Sequence, residues 1–147
     1  MNYEQVIAHI QDIINNHQMV NEVGVGNISD INYPKDGQSP DYPYAFINPN
    51  NLILNKSTTS FNFNLIIMSQ CIDNIDNIIK MQSDMIQILS DIYTNILSTL
   101  NNPYIQINDN ININPFKERF SDVVVGASAT ITITYIKNLD KCRLPIL

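Results

Sequence analysis

The sequence is poor in the residues on which most catalytic and nucleic-acid-binding sites depend. Its 147 residues include four glycines, two cysteines, two histidines and no tryptophan. Lysine and arginine together number eight against fourteen acidic residues, which gives a net charge of −6. Surfaces that bind DNA or RNA need clustered cations to displace counterions from phosphates. This charge balance therefore argues against a nucleic-acid-binding surface.

Long apolar runs are lacking as well. No 18-residue apolar stretch occurs, and the first residues, "MNYEQVIAHIQD", carry acidic side chains where a signal peptide carries basic ones. We therefore expect a protein that is made and kept in a cytosol-like compartment, without contact to a membrane. In such a compartment Cys71 and Cys142 are expected to be free thiols.

The templates of common catalytic sites are incomplete in this chain. The segment 24–26 is a Gly-x-Gly, but Ser29 occupies the place of the third glycine of a dinucleotide-binding loop. His9 and His17 are eight residues apart, so they do not form the i,i+4 pair that a zinc site on a helix uses. No Cys-x-x-Cys occurs. We therefore expect no enzyme activity, no metal and no cofactor.

The residues that are abundant are isoleucine, with 26 copies, and asparagine, with 22. Charged residues make up only 15%, beside roughly 25% in typical soluble domains. Two explanations remain open at this point. Both abundant residues have AT-rich codons, so mutational bias accounts for much of the excess. Alternatively, the low charge is that of a subunit packed against other proteins on several sides.

The spacing of apolar residues predicts a single α+β domain over residues 1–147. It consists of a mainly antiparallel sheet with an N-terminal helix and one long helix packed on it. The predicted helices are 3–18 and 73–100, and the predicted strands are 21–29, 44–54, 58–70, two pieces within 104–120, and 123–136. The long helix has apolar residues around most of its circumference, so we expect neighbours to cover it on more than one side.

The last strand is unusually long for a domain of this size. Fourteen residues at about 3.3 Å each span roughly 46 Å, whereas a compact domain of this length is roughly 40 Å across. We expect either a bend at Gly126 or an end that projects beyond the domain. Both alternatives favour contact with another molecule.

Three segments are candidate subunit interfaces. The loop 30–44 has three prolines and three tyrosines and is longer than the roughly 12 residues typical of compact domains, which favours a contact arm. The tail 138–147 ends in four apolar or proline residues and is expected to dock, either on its own sheet or on a neighbouring subunit. The charged triplet 117–119 is expected to form ion pairs across strands or subunits. The candidate interface residues are Tyr33, Tyr42, Tyr44, Lys117, Glu118, Arg119, Leu144 and Ile146.

The stretch 114–136 resembles the C-terminal hairpin of bacteriophage tail-terminator and tail-completion proteins. In that family a Pro-aromatic-x-(Glu/Asp)-Arg-Phe segment precedes a glycine and an alternating final strand. The matching positions here are Pro115, Phe116, Glu118, Arg119, Phe120, Gly126 and the run from Ala127 to Tyr135. The order of predicted elements is similar over most of the chain, and the Ile/Asn-rich composition resembles that of crAss-like phages.

The resemblance implies a structural virion protein of the phage neck or tail. Such a subunit forms a closed ring, a hexamer or dodecamer, around the DNA channel between portal and tail. Its partners would be its own copies, other neck and tail ring proteins and the portal, while DNA passes without specific binding. The alternative is a cytosolic, phage-encoded adaptor that binds another protein. A small-molecule-binding domain is a more distant third.

Overall fold

The computed structural model describes residues 2–27, 41–71, 75–100, 102–119 and 123–136. For residues 75, 76, 118 and 119 it describes the backbone only. It is a single α+β domain with two helices and a six-stranded mixed sheet, which confirms the predicted fold class. The elements are α1 (Tyr3–Asn15), β1 (Glu22–Val25), β2 (Tyr44–Leu54), β3 (Thr58–Gln70), α2 (Ile75–Thr99), β4 (Ile105–Ile107), β5 (Asn114–Arg119) and β6 (Val123–Ile136).

Helix α1 begins at a complete capping box. The Asn2 side chain accepts a hydrogen bond from the Gln5 backbone at 2.8 Å, and the Gln5 side chain accepts one from the Asn2 backbone at 2.9 Å. Two of the free amide groups at the helix start are thereby satisfied. The buried face consists of Val6, Ile10, Ile13 and Ile14. The helix ends three residues earlier than predicted, with Asn16 as its C-cap.

Helix α2 packs against the sheet and against α1, as its broad apolar surface predicts. Its buried residues are Met85, Ile88, Leu89, Ile92 and Ile96. Two polar contacts link α1 and the segment after it to α2: His9 Nε2 lies 3.2 Å from Thr99 Oγ1, and His17 Nε2 lies 3.0 Å from Asp91 Oδ2. Both histidines therefore serve as boundary residues between the helices.

Strands β3 and β6 form the centre of the sheet, whose order is β1-β2-β3-β6-β4. They are antiparallel and paired from Thr58–Ile136 to Gln70–Val124, without a register shift at Gly126. The other edge of β6 is shared by β5 and β4. A bend at Gly126 or an end that projects beyond the domain stays a prediction, whereas the pairing of β6 with β3 along nearly its whole length is observed. Its length is matched inside the chain, because β3 is itself 13 residues long.

The two faces of the sheet differ. The face that packs on the helices carries the main core, including Phe63, Leu65, Ile67, Ile131 and Ile133. The opposite face has two halves. Near the start of β2 it holds a smaller buried cluster, which comprises Tyr44, Phe46, Ile66, Met68 and Val124 with Tyr42 and Phe116 packed against it. In the other half, asparagine, serine and threonine replace the apolar residues.

Two glycines permit close approach within the sheet. A Cβ at Gly24 would lie 2.0 Å from the hydroxyl of Tyr44, so this glycine leaves room for the tyrosine ring. A Cβ at Gly126 would lie 2.0 Å from the carbonyl oxygen of Ile67 and 2.9 Å from the Cα of Met68. The glycine thus lets the backbones of β3 and β6 approach each other.

Candidate interaction surfaces

The exposed apolar residues of the molecule are concentrated where the β2–β3 hairpin ends. Leu52, Ile53 and Leu54 are 41%, 44% and 65% exposed, although strands usually bury at least every second side chain. Tyr104 is 65% and Ile136 50% exposed at the same end of the sheet, where the Ile136 amide donates to the Tyr104 carbonyl at 2.9 Å. We call Ile53, Leu54, Tyr104 and Ile136 the hairpin end.

The hairpin end is exposed because its neighbours stop short of it. β1 pairs only with residues 44–47 of β2, and the exposed part of β2 begins at Asn50, where the register with β3 shifts. The turn that follows is closed by Asn55, whose amide donates to the Thr58 carbonyl at 2.9 Å. The apolar strand thus continues beyond the layer of helices that covers the rest of the sheet.

A groove of mixed character lies beside the hairpin end, between α1, the end of β1 and the β2–β3 hairpin. Its volume is about 410 Å³. Apolar residues such as Tyr3, Leu52 and Phe61 line it together with the asparagines 27, 50, 51 and 62. The ring of Phe61, one of the lining residues, lies between two other rings, with centroids 6.2 Å from Tyr3 and 5.7 Å from Tyr135. Such tilted and edge contacts are favourable arrangements for aromatic rings.

The half of the sheet opposite the helices that lacks apolar residues forms an amide–hydroxyl face. Asn62 joins two strands there, donating to Asn51 Oδ1 at 2.8 Å and accepting from Thr132 Oγ1 at 2.7 Å. Asn64 repeats this pattern with Asn50 and Thr130, at 3.4 and 2.7 Å. These rows continue to Ser60, Thr134, Gln106 and Asn108.

The rows of the amide–hydroxyl face consist mainly of asparagine, glutamine, serine and threonine, and one carboxylate, that of Asp109, lies beside Gln106 and Thr132. Side chains that bond to each other across strands hold fixed positions, because each amide offers both a donor and an acceptor. The face can therefore contact a polar surface mainly through amides and hydroxyls.

Two buried or half-buried tyrosines, Tyr135 and Tyr93, belong to the core on the helix side of the sheet. Burial raises the pKa of Tyr135 to about 12. The pKa of Tyr93 is also raised, by burial first and by the nearby charge of Asp109 second. The Tyr93 hydroxyl donates to the carbonyl oxygen of Asn108 and thereby ties α2 to the segment after β4.

The structure places two of the predicted interface residues, Tyr44 and Tyr42, in or against a buried cluster. Tyr44 was expected in an exposed arm, but it is the first residue of β2 and only 9% exposed, which corrects the predicted boundary of the loop. Its apolar run with Ala45 and Phe46 buries it. Tyr42 is half-buried against the same cluster, and its carbonyl accepts from Asn21 Nδ2 at 2.6 Å.

The remaining predicted interface residues lie in β5 or outside the described residues. Lys117 is exposed in β5, where residues 117–119 pair with residues 123–125 of β6 as the predicted strand requires. Tyr33, Leu144 and Ile146 lie outside the described residues, as do most of the segment 30–44 and all of 138–147. The sequence reasoning missed the hairpin end, although the apolar run Leu52–Leu54 just before a polar turn was a usable signal.

The titratable groups of the described part of the chain form one ion pair, between His17 and Asp91. Hydrogen bonds from His17 and then from Gln87 lower the pKa of the Asp91 carboxyl. Within the described ranges, no group of three or more His, Cys, Asp or Glu side chains is placed to hold a metal ion. Cys71 is a free cysteine.

Neither helix in the described part of the chain is long and apolar enough to cross a membrane. In a comparison with known proteins, no family model matches the chain and no curated protein is significantly similar to it.

Proposed function

We propose that this chain is a structural subunit of a ring in the neck or tail of a bacteriophage, of the tail-terminator type. The ring surrounds the DNA channel between portal and tail and joins neighbouring rings. The observation that carries the proposal is the hairpin end, a set of exposed apolar side chains at one end of the sheet. The resemblance of residues 114–136 to the terminal hairpin of tail-terminator proteins is the reason for proposing this type of ring protein.

The hairpin end favours assembly for energetic reasons. Burial of one large apolar side chain is worth roughly 1.5–3 kcal/mol relative to leaving it exposed. Contiguous apolar patches on soluble proteins commonly mark contacts with other proteins. The hairpin end lies at one end of the sheet, so contact with a different surface of the next copy gives a head-to-tail interface. Interfaces of this kind generate rings when the rotation closes.

The amide–hydroxyl face supports the proposal in a second way. A surface that DNA passes must not hold its phosphates, and cations are the groups that do so. This face offers uncharged amides and hydroxyls instead. At −6 per chain, six copies carry −36 and twelve carry −72, so the whole ring repels DNA weakly rather than binding it. We assign this face to the channel.

The proposal includes a set of partners and a location. The subunit binds its own copies in a hexamer or dodecamer and stacks on other neck and tail ring proteins, with the portal as a further candidate. It acts in the virion after assembly in the host cytoplasm, uses no cofactor and has no enzymatic role.

Substitution of Leu54 by Asp tests the proposal against a matched control. Leu54 is 65% exposed at the hairpin end, and Ile79 is 64% exposed near the start of α2. We expect Leu54→Asp to abolish ring formation in native mass spectrometry while circular dichroism stays unchanged. Ile79→Asp, which adds the same charge at the same exposure, should assemble like the unchanged protein into closed hexamers or dodecamers.

Two results would contradict the ring. One is assembly of Leu54→Asp at the level of the control. The other is absence of the unchanged protein from purified virions. A stable monomer that captures one other protein through the hairpin end would instead favour the adaptor.

A further inference from the structure

We propose that His17 is a pH-sensitive latch, which holds the turn between α1 and β1 closed and releases it when the imidazole ring takes up a proton. The latch consists of the His17 ring, the backbone amide of Met19 and the carboxylate of Asp91 on α2. All three groups belong to one subunit, so the latch does not depend on ring assembly.

The two nitrogens of the His17 ring have different partners. Nδ1 lies 3.1 Å from the amide nitrogen of Met19, and Nε2 lies 3.0 Å from Asp91 Oδ2. A backbone N–H can only donate, so Nδ1 accepts this hydrogen bond and carries no hydrogen. The ring hydrogen is therefore on Nε2, which donates it to the carboxylate. Together the two contacts select the neutral Nε2–H form of the ring.

Protonation of the ring strengthens one of these contacts and removes the other. The imidazolium has a hydrogen on each nitrogen, so Nδ1 can no longer accept from the Met19 amide. Two donors then face each other across 3.1 Å. The ion pair between His17 and Asp91 is complete only in this form, because both groups are then charged. The ring is therefore held on α2, and it is the turn at Met19 that moves.

Asp91 is the charged group that faces the ring. The other described residues that line the surface groove around His17, from α1, the turn and α2, are uncharged. Hydrogen bonds from His17 and then from Gln87 lower the pKa of the Asp91 carboxyl. Asp91 therefore remains a carboxylate in mildly acidic solution, where histidine is the side chain that changes its charge.

The turn is anchored on both sides of Met19. Before it, the His17 amide donates to the Ile14 carbonyl at 3.0 Å, and after it, the Asn21 amide donates to the Pro43 carbonyl at 2.9 Å. The Met19 side chain itself is 57% exposed, so little packing opposes its displacement. Release of the latch is thereby confined to the turn and leaves the helices and the sheet in place.

An NMR pH series on the full chain tests the latch. The nitrogen chemical shifts of the His17 ring report its tautomer and its protonation. Hydrogen exchange, relative to that of an unstructured peptide at the same pH, reports the protection of the Met19 amide. We expect the neutral ring to carry its hydrogen on Nε2. As the ring takes up its proton, the protection of the Met19 amide should fall about tenfold, which corresponds to the loss of about one hydrogen bond.

His17→Asn is the matched control. The oxygen of an asparagine side chain accepts from the backbone amide two residues further on, as Nδ1 does here, but it does not titrate. The Met19 amide of this variant should keep its protection in acid. A protease that cleaves before large apolar residues gives a second readout. In acid it should cut the unchanged protein at Met19 about tenfold faster than the variant, and at neutral pH equally fast.

Three results would overturn the latch. They are a neutral ring with its hydrogen on Nδ1, protection of the Met19 amide that stays constant as the ring protonates, and the same loss of protection in His17→Asn. The first two are measured on the unchanged protein, so the test holds even if the variant does not fold. Loss of the whole fold over the same pH range, followed by circular dichroism, also overturns it, because the turn is then not the acid-sensitive element.

Discussion

Substitution of Gly126 by alanine probes the central strand pair most directly. The new Cβ would lie 2.0 Å from the carbonyl oxygen of Ile67, whereas carbon–oxygen contacts between strands are about 3.3 Å or longer. The backbones of β3 and β6 must therefore separate locally by about 1.3 Å. Backbone atoms in the middle of a sheet cannot rotate away as a side chain can. The strain must therefore be taken up by the hydrogen bonds of the ladder.

The expected cost follows from two contributions. Overpacking by one methyl group costs about 1–3 kcal/mol, and a disrupted ladder hydrogen bond costs about 1 kcal/mol. We therefore expect Gly126→Ala to lower the free energy of unfolding by about 2–4 kcal/mol. For a domain of this size the midpoint of thermal unfolding should fall by about 6–13 °C.

Urea and thermal unfolding followed by circular dichroism measure this loss. The control is Ser128→Ala, two residues further along the same strand and face, because Ser128 already has a Cβ and the substitution adds no atom beside the neighbouring backbone. We expect that variant to change the free energy of unfolding by less than about 1 kcal/mol. If Gly126→Ala is as stable as Ser128→Ala, the close approach of the two strands is not the reason for the glycine.

Two further predictions concern the tyrosines. Gly24→Ala should lower the free energy of unfolding measured in urea, because the new Cβ meets the hydroxyl of Tyr44. Tyr44→Phe removes that hydroxyl and should restore part of the lost stability in the double variant. If the effects of the two substitutions are additive, the two residues are not coupled in this way. Tyr135 has a pKa of about 12 in the folded protein against 10.0 ordinarily, so its unfolded form loses the proton first and stability should fall as pH rises from about 10 to 12. Tyr135→Phe should lessen this fall, and equal pH profiles of the two proteins would contradict the assignment.

Much of the fold can be predicted because local spacing determines which residues can face a core. Alternation in residues 60–64 and 130–134 correctly predicts strands with one polar face. The continuous apolar runs at 65–68 and 123–125 mark the other half of the sheet, where both faces are buried. Spacing therefore distinguishes not only strand from helix but also the covered half of the sheet from the open half.

Sheet order and exposure could not be predicted in this way. The spacing within residues 123–136 does not reveal that β3 borders one edge and that β5 and β4 divide the other. Because spacing does not reveal those partners, the sequence predicts a strand that is longer than the domain needs. The hairpin end was missed for the same reason, because Leu54 is exposed only where β1 and the helices stop.

The pairing of β3 with β6 has a consequence for how the chain folds as it is made. The two strands are separated by α2, β4 and β5, so partners such as Thr58 and Ile136 are far apart in sequence. Contacts of this kind close late, since the entropy of a long loop must be overcome first. Until β6 leaves the ribosome, β3 presents the middle of the sheet as an open, apolar edge. A nascent or truncated chain that stops before residue 123 is therefore the species of this protein most exposed to aggregation.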